Sequence, residues 1–123
     1  MAAPNLVNVT SIFGKTAFDA DISTSDEAIL SNASTSNKLL KVNTLIITNI
    51  DGGNNANITI TIKTGGTISG YLAYTVSVPA DGAFVAISKD APIYLEENMA
   101  IHLDAAVSGD LSAVCSYEEI DDA

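Results

Sequence analysis

The chain has 123 residues and a formal net charge of −10, with 15 Asp and Glu against 5 Lys, one His and no Arg. The lack of Arg argues against a phosphate-neutralising stripe and hence against nucleic acid as a partner. A hydrophobic content of 47% argues against disorder, and a single Cys leaves no intrachain disulfide framework. Charged residues are only 16%, below the ~25% usual for globular domains. The remaining polarity comes from 33 uncharged Ser, Thr and Asn residues.

In chain order, the first third is the least regular. Leu6 to Phe13, Thr16 to Ile22 and Glu27 to Ser31 are candidate strands, and Ala2 to Val9 reads either as a first strand or as an N-terminal arm. Thr24-Ser25-Asp26-Glu27 matches a helix capping box, but the apolar stretch behind it is too short to sustain a helix. Lys41 to Ile50 carries apolar residues on both faces, which predicts a strand that is central or covered on its second side. Asp51-Gly52-Gly53-Asn54-Asn55 reads as a turn able to supply positive φ angles.

Residues 57 to 63 give the clearest signal, with Ile58, Ile60 and Ile62 alternating against Thr59, Thr61 and Lys63. Period-two alternation of β-branched residues predicts a strand with one buried and one wet face. After a turn at Thr64-Gly65-Gly66-Thr67, the run Tyr71 to Val78 is predicted to place Leu72, Tyr74, Val76 and Val78 on one face. Pro79-Ala80-Asp81-Gly82 ends that run. Ala83 to Ser88 and Ile93 to Leu95 read as short strands separated by Lys89-Asp90-Ala91-Pro92. Met99 to Ala105 alternates with Met99, Ile101 and Leu103 inward and His102 outward. A turn at Ser108-Gly109-Asp110 leads into a last strand, Leu111 to Tyr117, with Cys115 inward, followed by an acidic tail over residues 118–123.

Eight or nine short strands, with turns every 8 to 12 residues and no helical period, predict one all-β domain over residues 1–123, an antiparallel β-sandwich or jelly-roll-like barrel. Met1-Ala2-Ala3-Pro4-Asn5 lacks the basic start and apolar stretch of a secretory signal, and the longest apolar run, Ala83 to Ile87, is far short of a membrane span. Synthesis in a reducing cytoplasm, with Cys115 a thiol, is therefore expected.

No chemistry-bearing constellation emerges. His102 and Cys115 are predicted on opposite faces of their strands, so they form no nucleophile–base dyad. Glu96-Glu97, Glu118-Glu119 and Asp121-Asp122 are neighbours, and neighbours on a strand point to opposite sides. The Asp51 segment lacks the ligand spacing and closing Glu of a calcium loop, and Gly65-Gly66 is followed by neither Lys-Ser/Thr nor a helix. No catalytic residue, metal or cofactor is expected. Tyr71, Tyr74, Tyr94 and Tyr117 are the candidate residues for a sugar site, although Tyr in strands ordinarily packs.

Six stretches carry a resemblance over residues 38 to 120, two-thirds of the chain. They are Lys41-Val42-Asn43-Thr44-Leu45, Ile47-Thr48-Asn49-Ile50-Asp51-Gly52, Val76-Ser77-Val78-Pro79-Ala80, Ser88 to Glu97, and Ser108 to Leu111 followed by Ser116-Tyr117-Glu118-Glu119-Ile120. The most specific part is Val78-Pro79-Ala80 followed by Pro92-Ile93-Tyr94-Leu95-Glu96-Glu97. Together they resemble small structural proteins of tailed bacteriophages, particularly those of cyanobacteria.

The resemblance implies a non-enzymatic β-sandwich component of the virion, made in the host bacterial cytoplasm. A small acidic subunit suits the particle exterior, as a decoration (cement) protein bound to the major capsid protein or another virion protein. A homo-oligomer, a trimer by analogy, is expected, with neither nucleic acid nor membrane as partner. Cementing needs apolar patches and strand edges, for which Leu6, Val7, Val9, Phe84, Val85, Ile93 and Tyr94 are the candidate contacts. The alternative expectation is a tail, neck or fibre-associated module that recognises a host-surface glycan or receptor.

Overall fold

A computed structural model describes Leu6 and residues 9–121. Nine strands form among the described residues: β1 (Ser11–Asp19), β2 (Glu27–Ser31), β3 (Lys38–Asn49), β4 (Ala56–Thr64), β5 (Thr67–Val78), β6 (Ala83–Ile87), β7 (Ile93–Leu95), β8 (Met99–Ala105) and β9 (Leu111–Asp121). They make two antiparallel sheets, a β-sandwich as the alternating patterns predict. Sheet A runs β1-β9-β3-β6, with β7 also pairing β3, and sheet B runs β2-β8-β4-β5. The pairs nest around the β4–β5 hairpin: β3 with β6 and β7, β2 with β8, and β1 with β9. This is the connectivity of one long hairpin rolled into two sheets, a jelly roll.

The core lies between the sheets, where Val42, Leu45 and Ile47 of β3 meet Ile58 and Ile60 of β4, Ile101 and Leu103 of β8, and Leu111, Ala113 and Cys115 of β9. β3 is central, flanked by β9 on one side and by β6 and β7 on the other. Its second edge is shared between two short strands because Pro92, which has no N–H for the ladder, interrupts the return. Ala91 N–H instead donates to Ser88 O (3.0 Å), closing a turn.

Two buried asparagines fasten the places where the chain changes sheet. Asn32, between β2 and β3, donates through Nδ2 to Lys38 O and Leu95 O, both at 2.9 Å. Asn49, at the end of β3, donates to Asn54 O (2.9 Å) and Val78 O (3.0 Å) and accepts from Asp51 N–H (2.9 Å). Each side chain holds backbone groups at these crossings and is itself satisfied, as buried polar groups require.

Several sequence expectations need correction. Leu6 to Phe13 and Thr16 to Ile22 are not two strands; one strand, β1, runs through Gly14-Lys15, and Ile22 then turns into the core. The Asp51 loop does not use positive φ at Gly52 or Gly53. It is an Asx-type turn in which Asp51 Oδ1 accepts from Gly53 N–H (2.9 Å). Positive φ occurs instead at Gly65 (60°) and Gly66 (85°), the two central residues of the tight β4–β5 turn.

In β5, Leu72, Val76 and Val78 pack against the core as predicted, but Tyr74 leaves that face, because bulges shift its phase against β4. Thr75, at φ 47°, lies in one of them, so Ala73 and Val78 are buried while Tyr74 is exposed. Glu118 and Glu119 are not in a tail beyond the last strand, since β9 extends to Asp121. Most of the Ala2 to Val9 arm, and Asp122 and Ala123, fall outside the described residues.

Candidate interaction surface on sheet A

The outward side chains of sheet A form a row that only the strand register reveals. Phe18 of β1 is the cross-strand partner of Val114 in β9; Val114 is also the partner of Ile46 in β3, and Ile46 of Val85 in β6. Their strand neighbours Ala17, Ala113, Leu45 and Phe84 turn inward, so these four point away from the core. Phe18, Val114 and Val85 are exposed, Phe18 to 74%, and Ile46 is half-buried between them. At the Phe18 end a shallow groove of about 390 Å³ is lined by Phe18, Ile50 and Val114.

Charge is sparse on this face, although Asp19 joins the lining of the groove. The next row is Thr16, Ser116 and Thr44, and beyond it Lys41 stands opposite Glu118, so the two charges offset one another. In a chain of net charge −10 the excess carboxylates therefore lie elsewhere. This is where another protein surface can approach at the lowest desolvation and repulsion cost.

The residues singled out as contacts distribute unevenly. Val85 belongs to the row, and Tyr94 is exposed on the same side, opposite Lys41. Phe84 and Ile93 pack against the core. Leu6 is exposed and Val9 half-buried, while Val7 lies outside the described residues. Sequence reading missed Phe18, Ile46 and Val114. The signal for two of them was present, in the unbroken apolar runs Leu45-Ile46-Ile47 and Ala113-Val114-Cys115.

Among the described residues, the titratable groups do not assemble into a reactive centre with Cys115. Its thiol is fully buried in sheet A, where burial pushes its pKa up to about 11. His102 projects from the outer side of sheet B, with Nδ1 3.4 Å from Asp26 Oδ1 but without a hydrogen bond to it. Glu118 and Glu119 point to opposite faces: Glu118 accepts from Asn43 Nδ2 (3.4 Å), whereas Glu119 accepts from Lys15 Nζ (3.2 Å) and Lys38 Nζ (3.3 Å). Burial raises the Glu119 pKa, but the two lysines outweigh it and hold the carboxyl below its ordinary value. Buried Glu97 accepts from Asn37 N–H (2.6 Å). Among the described residues, no three His, Cys, Asp or Glu side chains gather as a metal-binding group. Also among them, no helix is long and apolar enough to cross a membrane.

Contrary to the packing role expected of them, Tyr71, Tyr74 and Tyr94 are exposed; of the four tyrosines, only Tyr117 packs against the core. No protein-family model matches the chain, and no curated protein matches its sequence.

Proposed function

We propose that this chain is a non-enzymatic structural subunit of a tailed-phage virion, bound to the exterior of the capsid lattice as a decoration (cement) protein. In this reading the outer face of sheet A turns toward the lattice. The observation that carries the reading is the Phe18–Val114–Ile46–Val85 row, apolar and uncharged on a strongly acidic chain. Exposed apolar side chains lined up across a sheet favour contact with another protein surface, which supports this reading. With strands about 4.8 Å apart, the four-strand face is roughly 19 Å wide, suited to one subunit contact. The resemblance of residues 38 to 120 to phage structural proteins supplies the context.

The acidic remainder keeps free subunits apart before assembly, and salt screens it once they dock. A cyclic trimer would bring the edges β1, β5 or β6 of neighbouring subunits together. The test is co-sedimentation of purified protein with undecorated mature capsids. Saturable pelleting that a Phe18→Asp substitution abolishes is the expected result. Failure to pellet at saturating concentration contradicts the proposal.

A further inference from the structure

The outer side of sheet B carries a second and chemically different feature. A trough of about 330 Å³ opens over β4, lined by Tyr71, Tyr74, Thr59, Thr61, Asp26 and Asp104. Its volume falls at the small end of ligand pockets. The strand register builds it: Thr61 stands between Tyr71 of β5 and His102 of β8, and Thr59 stands opposite Asp104. The bulge at Thr75 is pinned by Thr75 N–H donating to Thr59 Oγ1 (3.0 Å).

Two observations converge on a ligand. First, the Tyr71 and Tyr74 rings meet edge to face, with centroids 5.2 Å apart and planes at 83°, yet they are 54% and 67% exposed. Large aromatic faces are thus left open beside hydroxyls and a carboxylate. Second, Thr61 is only 5% exposed, and its Oγ1 has no hydrogen-bond partner although it lines the trough. A buried hydroxyl without a partner is costly and rare in folded proteins. A ligand hydroxyl seated in the trough would supply that partner.

The chemistry selects the class of ligand. Asp26 and Asp104, on a chain of net charge −10, disfavour an anion. Asp26 is already paired with the Lys63 ammonium and has the His102 ring beside it, which weakens its pull on a cation. What remains is an open apolar ring face, a buried hydroxyl that both donates and accepts, and the Asp104 carboxylate as acceptor. A pyranose has a C–H face to lie on an aromatic ring and a rim of hydroxyls to meet such groups. We infer that the sheet B trough binds a neutral sugar unit. The site lies on the opposite sheet from the proposed capsid contact, so one subunit can hold the particle with sheet A and present sheet B to a glycan.

The test is titration of the full chain, followed by amide ¹H–¹⁵N spectra. The probes are methyl glucoside, methyl galactoside, methyl mannoside and N-acetylglucosamine, with glucuronate and tetramethylammonium as charged counterparts. At least one neutral sugar should shift the amides of residues 59–61 and 71–75, saturating by about 50 mM, as a millimolar site would. Tyr74→Ala and Thr61→Val should each weaken that response tenfold or more. Both variants should fold, because Tyr74 is exposed and valine replaces an unpartnered hydroxyl with a methyl group. No shift with any neutral sugar, an undiminished response in Tyr74→Ala, or binding of tetramethylammonium alone overturns the inference. None of these outcomes bears on capsid co-sedimentation, which reads sheet A.

Discussion

Phe18 and Val114 face one another across the β1–β9 pair, on the side of sheet A turned away from the core, and both are exposed. Ile46 and Val85 continue their line across the sheet. Because these side chains lie outside the core, replacing them should cost little folding stability. Phe18→Ser and Val85→Ser are expected to change unfolding free energy by no more than about 0.5 kcal/mol, as at ordinary surface positions. Urea denaturation checks this. A loss of several kcal/mol would mean that the row is structural instead.

The adjacent residues Leu45 and Ile46 should respond very differently to truncation. Leu45 is fully buried between the sheets, so Leu45→Ala should cost about 2–5 kcal/mol through lost transfer energy and the cavity left behind. Ile46 points outward, and Ile46→Ala should cost well under half of that. Equal losses at the two positions would contradict the assignment of faces in β3.

Asn49 has no apolar substitute. Removing its side chain leaves Val78 O and Asp51 N–H without their partners at a buried sheet crossing. Asn49→Ala is expected to destabilise by about 1–3 kcal/mol, the cost of unsatisfied buried polar groups. Asn49→Leu should be no better despite its added apolar volume. A urea midpoint for the leucine variant at or above that of the native chain would refute this role.

The reach of the sequence is uneven, for physical reasons. Strands β4 and β8 and the first half of β9 were legible because each alternates with one face in the core, whereas Glu118 to Asp121 at the end of β9 break that pattern. The central position of β3 was legible from apolar residues on both of its faces. β1 was not, since Gly14 and Lys15 interrupt its pattern and most of its side chains are exposed. In β5, alternation counts residues, whereas bulges insert them, so the prediction put Tyr74 on the wrong side. The apolar row and the trough were illegible for a further reason. Phe18, Ile46, Val85 and Val114 are scattered between positions 18 and 114 of the sequence, and only the pairing of strands brings them into line.

Acid should weaken the fold through Glu119. Its folded-state pKa is depressed below the ordinary 4.5, since the hydrogen bonds and charges of Lys15 and Lys38 outweigh the effect of burial. A depressed carboxyl pKa contributes stability that is present above the unfolded value and is lost as pH falls through the folded one. Thermal stability should therefore decline on acidification below about pH 4.5, and Glu119→Gln should flatten that part of the profile. An identical decline in the glutamine variant would show that other carboxyls dominate.

Cys115 should be inert in the folded chain. With its side chain fully buried and its pKa raised to about 11, it presents little thiolate near neutral pH. Ellman's reagent should react with it only on unfolding, at a rate that follows denaturant concentration. Rapid labelling of the native protein would contradict this placement in the core.

The most direct test of the central proposal is cryo-EM of undecorated mature capsids incubated with the native chain and with Phe18→Asp. Added density on the outer lattice is expected for the native chain, with sheet A facing the capsid, and none for the variant. Bare capsids with the native chain, or density with sheet A turned to solvent, would contradict it.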